Sequence, residues 1–515
     1  MLGKMGKLVA LFEKKEEHPL LDARTLQYVI GELPVDNAFT ALEDICEWLE
    51  SMVEAKDAPQ HRLFDAARQL EDAATPHLRR LALEYLHANR LSKSEEKRLW
   101  AINAGFWRLI SRLYKKLLKR MLRQGVSAEL ASNYLPALSA RLVAALRALI
   151  KWEQFHYGTR PDEVWEQMGR VMLMAEHAEV VGKVVFVSGG MSSAEREYQK
   201  AMALHAASMD SLLPVEIEIA EHFIAYYLQR FHFSLEAEED SVYWVDLAQS
   251  MAPRRLAKMP SRPRSSQRFF KPGQAHADMT VLLDSLERGG AVPADMNLGA
   301  HYQSRVVIPV LRHLCTYLSP NPPLRRLARH RVKHRMSVVH GLESVAFAFA
   351  DAPYGRPAAL LSESWVVENV SRGGFGAQLQ DIPGEWLRVG CLLAMQPEGG
   401  DNWLLGCVRR YHHESPTDTR IGIETLAHTA KVVDLAQKRQ IGNPLPAFAV
   451  LLLPDGDKPG EVRLVQPPGR FDPRAMFEYR LEGQTVLLEP LLVVEQTVDY
   501  ELVRYRVVSV TLPEV

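Results

Sequence analysis

The chain has 515 residues, of which 47% are apolar and 24% charged, and its formal net charge is −1. A length that holds about two to four domains, with the composition of a globular chain, excludes a fibrous or wholly disordered protein. Because the chain as a whole is not a polyelectrolyte, any attraction for an anionic ligand has to come from local clusters.

Cys46, Cys315, Cys391 and Cys407 are scattered, with no CxxC or Cys/His zinc spacing, and read as free thiols in a reducing compartment. No stretch approaches the roughly 18 apolar residues of a membrane span. One of the longest runs, at 447–453, ends at Pro454. The N-terminal MLGKMGKLVALFEKKEEHP lacks the long apolar region and cleavage site of a signal peptide, so a cytoplasmic protein is expected.

Residues 1–235 read as helical. Leu99, Ile102, Phe106, Leu109, Leu113, Leu117 and Met121 recur at steps of three and four and draw one apolar stripe on a long helix. Ser92 and Glu95 form a capping box ahead of it. Similar periodicity at 38–52, 130–152 and 194–231 points to an irregular helical bundle or a solenoid-like stack. The polar face of the long helix carries Arg108, Arg112, Lys115, Lys116, Lys119, Arg120 and Arg123, and is expected to be solvated or paired with acids of a neighbouring helix. KVVFVSGGMSS at 183–193 has no GxGxxG and no Gly-Lys-Ser/Thr. Ser192 with Glu195 reads there as a helix cap, not as part of a phosphate cradle.

Residues 236–320 read as a linker region. SVYWVDL at 241–247 suits a short strand. PRRLAKMPSRPRSSQRFFKP at 253–272 has seven Lys or Arg and no acid, which suits a linker or an exposed loop. Helical pattern returns at 275–288 and 305–318 and stops at Pro320, Pro322 and Pro323.

From residue 336 the pattern is that of strands. SVVHGLESVAFAFA, SWVVENV, GAQL, RVGCLLAMQ, WLLGCVRRYHH and TRIGIETL are about six short segments before residue 430, suited to a small closed barrel over 321–430. Residues 431–515 repeat the texture, as a second small β-domain or an extension of the first barrel. The fold class is therefore α+β and multidomain: an all-α N-terminal region, a small antiparallel β-barrel, and a further C-terminal β-region.

Two features frame the first barrel. RRLARHRVKHR at 325–335 contains RxxxR twice, as Arg325/Arg329 and as Arg331/Arg335, and Asn369-x-Ser371-x-x-Gly374 ends the SWVVENV strand. In this order, flanking strands of this kind, the residues resemble the PilZ domain family, with RxxxR before the first strand and (D/N)xSxxG after the second. The strand pair at 403–410 and 420–426 also fits, and the resemblance covers about residues 325–430. It implies a surface site for cyclic di-GMP at Asn369, Ser371 and Gly374, opposite arginines of either register. An insertion around 351–356 departs from the family's usual spacing.

The chemistry agrees. A guanidinium fork matches the O6 and N7 acceptors of guanine, stacks on the purine face and neutralises phosphate. The expected function is a cyclic di-GMP receptor. Its Arg325–Arg335 arm is mobile until the ligand clamps it to the 369–374 turn, and this repositions the helical domain toward an unidentified protein partner. No catalysis is expected, and no cofactor besides the regulatory ligand. The alternative is a helical scaffold or nucleic-acid-binding protein with a purely structural barrel, gripping RNA or DNA through 254–271 and 312–335. His330 with His334, and His412 with His413, lack a third ligand at metal spacing. Asp455-Gly-Asp457 reads as a hairpin turn, since the calcium-loop pattern is incomplete.

Overall fold

The computed structural model describes residues 18–55, 58–87, 91–124, 128–156, 158, 162–258, 262–298, 302–323, 330–350, 362–371, 373–380, 386–413, 418–438, 446–454 and 458–511. The chain forms two compact units, Met1–Leu324 and Arg325–Val515.

The first unit is built on helices α1 (Ala23–Gly31), α2 (Ala38–Glu54), α3 (Gln60–His87), α4 (Lys93–Gln124), α5 (Ala128–Phe155) and α6 (Asp162–His177). They are followed by the hairpin β1 (Val185–Val187) and β2 (Gly190–Ser192), then α7 (Ala194–Ala206) and α8 (Pro214–Tyr227). The long helix α4 is the one that the apolar stripe requires. Leu99, Phe106, Ile110, Leu113, Leu117 and Met121 are buried along it. Its cap is reciprocal: Glu95 N–H donates to Ser92 Oγ (3.3 Å) and Ser92 N–H to Glu95 Oε2 (2.9 Å).

Two local expectations shift. The periodicity over 194–231 resolves into two helices, because Pro214 starts α8 afresh. The cap of α7 is Ser193, whose Oγ accepts from Arg196 N–H (3.2 Å), while Ser192 instead donates to the buried carboxylate of Glu197 (2.5 Å).

Residues 236–320 are built into the same unit. β3 (His232–Ser234), β4 (Tyr243–Asp246), β5 (Arg254–Arg255) and β6 (Gln267–Lys271) make a four-stranded sheet in the order β3-β6-β4-β5. The basic segment therefore supplies two strands. Arg268 pairs with Glu176, and Lys271 with Glu238 and Asp240. Helices α9 (Gly273–Glu287) and α10 (Ser304–Tyr317) follow, and Phe270, Met279 and Leu314 join one apolar core that starts at Leu20.

Inside this helical unit lies a charged network that the sequence did not announce. Arg141 and Glu71 are fully buried and bonded (2.6 Å), Arg141 also reaches Asp72 (2.9 Å), and Tyr114 and Ser188 donate to Glu71. Arg147, Lys200 and Ser192 surround Glu197 in the same way. Each buried charge has its partner, as burial demands.

The second unit holds two closed six-stranded antiparallel barrels. The first contains β7 (His330–His340), β8 (Glu363–Ser371), β9 (Gly374–Gln380), β10 (Leu392–Pro397), β11 (Leu404–His413) and β12 (Asp418–Ala427), in the order β10-β11-β12-β9-β8-β7. The second contains β13 (Lys431–Lys438), β14 (Phe448–Leu453), β15 (Glu461–Gln466), β16 (Met476–Leu481), β17 (Gln484–Gln496) and β18 (Glu501–Thr511), in the order β13-β14-β15-β18-β17-β16. Numbered within each barrel, the two orders are identical, so the C-terminal β-region is a second barrel of the same topology. The stretch LESVAFAF, expected as strand, is helix α11 (Leu342–Phe349). A short apolar run is ambiguous in period, and here Gly341 ends the strand before it.

The barrels share a face. Leu392, Ala394, Leu405 and Cys407 of the first pack with Leu451, Leu453, Val465 and Leu502 of the second. Arg409 of β11 donates to Glu495 of β17, and Asp499 accepts from Arg388 (3.1 Å) and from Leu392 N–H (3.2 Å). Burial disfavours the Arg409 cation, but its bonds to Glu495 outweigh that and hold its pKa above the ordinary value.

Candidate functional site

Cross-strand pairing brings the predicted residues onto one outer face of the first barrel. Arg331 lies opposite Asn369, Asn369 opposite Gly376, Gly376 opposite Gly422, and Gly422 opposite Arg410. Residues directly opposite share a face, and neighbours along a strand alternate. Ala377, Ile421, Ile423 and Tyr411 are buried inward, so this five-residue row faces outward. A register shift between Val367 and Asn369 is what turns Asn369 out; without it Asn369 would follow Trp365 and Val367 into the core.

The floor of the row is glycine. A Cβ on Gly376 would stand 2.6 Å from both Nδ2 and Oδ1 of Asn369, so the amide lies across bare backbone. Beside it, the stem of Arg410 lies over Gly422. Asn369 Oδ1 is buried, and among the described residues it has no hydrogen-bond partner. A buried acceptor in this state costs about 1–3 kcal/mol unless a donor arrives.

One step along the strands, Ser371 pairs with Gly374 and donates from Oγ to the Gly374 carbonyl (3.3 Å). A Cβ at Gly374 would meet the Ile423 carbonyl at 2.0 Å, so this glycine permits β9 to lie against β12. One step the other way, Arg335, Val366, Gln378, Arg420 and His412 form a second outward row. Arg335 donates weakly to Ser364 Oγ (3.4 Å), and Arg420 stands 3.7 Å from Glu368.

Thus Arg331, Arg335, Asn369, Ser371 and Gly374 come together. Arg331 and Arg335 sit within the first strand, whereas an arm ahead of the strand was expected. Arg325 and Arg329 lie outside the described residues, as do the insertion around 351–356 and Asp455–Asp457. Sequence reasoning missed Gly376, Gly422 and Arg410. The available signal was glycine inside a strand pattern, which marks close approach. Among the described residues no group of three or more His, Cys, Asp or Glu is placed to hold a metal, and no helix is long and apolar enough to cross a membrane.

The arrangement offers a flat trough with a carboxamide at one side and guanidinium groups at both ends. That suits a planar purine carrying phosphate. Between β14 and β15 the sequence reads Asp455-Gly-Asp457-Lys-Pro-Gly460, the same six-residue spacing with Asp457 where the first motif has Ser371. No RxxxR precedes β13.

Two family models match the chain. Residues 24–239 match the N-terminal domain of the cyclic-di-GMP receptor FimW, and residues 361–431 match its middle PilZ domain. Together, in the same order, they cover more than half of the chain. No curated protein matches it.

Proposed function

We propose, from the premise that this chain belongs with the FimW-like cyclic-di-GMP receptors and carries their PilZ barrel, that it binds cyclic di-GMP across the glycine-floored row of its first barrel. The observation that carries this reading is the buried Oδ1 of Asn369, without a partner among the described residues and lying between Arg331 and Arg410. A guanine N–H fits that acceptor, the arginines fit the phosphates and the Hoogsteen edge, and Ser371 holds the turn. Arg325 and Arg329 precede β7 and belong to the arm that folds over the ligand, while Arg331 and Arg335 read it from the strand. Neutralising this cluster orders the arm, and that ordering is the signal passed to the helical unit and on to a protein partner. The chemistry is recognition, with no catalytic step, and the receptor works in the cytoplasm, where the dinucleotide is made.

Isothermal titration with cyclic di-GMP tests this. Saturable heat is expected. Asn369→Ala and Arg331→Ala/Arg335→Ala should each lose about tenfold or more in affinity, the scale of one charge-assisted or buried hydrogen bond. Arg325→Ala/Arg329→Ala measures the arm separately. No heat and no thermal shift at high ligand would sink the proposal. Heat with a single-stranded oligonucleotide instead would favour a nucleic-acid-binding role.

A further inference from the structure

The basic face of α4 is not simply solvated. Arg112, Lys115, Lys116, Lys119, Arg120 and Arg123 line a groove of about 480 Å3, closed at one side by Val53 and Glu54 at the end of α2. Glu54 is the one carboxylate in that lining and stands 3.7 Å from Arg112. Two of the cations are fixed in place. Lys116 donates to the Val53 and Ala55 carbonyls (2.7 Å to the latter), and Arg120 to Ala55 (3.2 Å), so they cap the C-terminus of α2.

Lys115, Lys119 and Arg123 form the next ridge at four-residue spacing, about 6 Å per step. Leu122, three residues from Lys119 and seven from Lys115, borders this ridge outside the groove's lining and is 58% exposed. Burial depresses the pKa of Lys115, and repulsion from Lys119 and Arg170 adds to this, against a weaker pull from Glu163 and Glu166. Burial, then Arg120 and Arg112, act likewise on Lys116, with Glu54 opposing. Like charges at this spacing destabilise a helix, and an anion in the groove would relieve them.

The lining contains no aromatic side chain, so single-stranded nucleic acid would lack its stacking contribution. Val53 in the lining and exposed Leu122 at its border offer apolar contacts that a bare phosphate does not use. A helix with carboxylates every three or four residues has the same rise as the cation ridge, and its own apolar stripe can meet Leu122. We infer that the α4 groove docks an acidic, amphipathic helical segment of a partner protein. This rests on the groove's charge and shape and not on ligand binding by the barrel.

The test is fluorescence anisotropy on the full chain with a synthetic helical peptide bearing glutamates at three- and four-residue spacing and a leucine stripe. Inorganic polyphosphate, a single-stranded oligonucleotide and phosphatidylglycerol vesicles run in parallel. The peptide should bind saturably and tighter than the other three. Its affinity should fall with salt, fall about tenfold or more in Lys115→Glu/Lys119→Glu, and stay unchanged in Asn369→Ala. The double variant leaves the cap on α2 intact, and Lys115→Gln/Lys119→Gln should give an intermediate loss with no reversed charge. The inference is overturned if the peptide does not bind, if both double variants bind like the parent, or if any of the other three anions binds at least as tightly.

Discussion

Gly374 and Gly376 are successive outward positions of one strand but respond differently to the same substitution. A Cβ at Gly374 meets the Ile423 carbonyl, which is backbone and cannot withdraw, so Gly374→Ala should weaken the β9–β12 pairing itself. The atoms nearest a Cβ at Gly376 are the end of the Asn369 side chain, which can rotate away. Gly376→Ala should therefore keep the fold and lose about tenfold or more in cyclic di-GMP affinity, because the carboxamide is pushed off its floor. Thermal melting and titration on the same sample check both halves. An unchanged affinity would remove Asn369 from the site. Glu197 makes a different prediction. Burial alone would raise its pKa, but Arg147 and Lys200 bring it down to about 2 from an ordinary 4.5. The folded state thus binds this proton less readily than the unfolded chain. Its stabilisation is complete above about pH 4.5 and is lost as pH falls toward 2. Lys200 pulls the other way, since burial holds its pKa near 8 and its charge costs stability below that. Arg147→Ala should flatten the acid limb of a melting-temperature profile and cost about 3 kcal/mol at neutral pH.

At the scale of elements, what could be read from the sequence followed the strength of the local pattern. The stripe from Leu99 to Met121 and the Ser92–Glu95 box specify α4 because period and cap agree over many turns. The PilZ half-motif lies at the junction of β8 and β9, as its resemblance implies. Four things were hidden. The register shift that turns Asn369 outward leaves no mark in a single sequence. The basic stretch at 253–272 looked like a linker because its Pro and Arg content hides two short strands held by pairing with distant residues. LESVAFAF carries too few turns for its period to decide between helix and strand. The row from Arg331 to Arg410 joins strands far apart in sequence, so Arg410 became visible only once pairing was known.

At the scale of the second unit, the two barrels share one topology but not one chemistry. CLLAMQ and AFAVLLL do not alternate as strands of a half-exposed barrel should. The reason is that β10 and β14 are buried on both faces. Leu393 and Met395 are buried on one side of β10, while Leu392 and Ala394 meet the neighbouring barrel. In β14, Val450 points into its own core and Leu451 and Leu453 point across. The second barrel covers these side chains of the first, and its sequence carries Asp457 where the first barrel's motif has Ser371. Two outcomes follow. Asp457→Ala should leave cyclic di-GMP titration unchanged, while Asn369→Ala loses about tenfold or more in affinity, the pattern expected when the first barrel alone binds. Leu451→Asp should place an unpaired carboxylate in the shared face and cost several kcal/mol, as burying a charge without a partner does. Because that face also backs β10 and β11, cyclic di-GMP affinity should fall with it, although Leu451 belongs to the other barrel. Hydrogen exchange of β10 and β11 amides is the direct measurement. Faster exchange there in Leu451→Asp marks the barrels as one cooperative body, and unchanged protection would mean that they fold and bind independently.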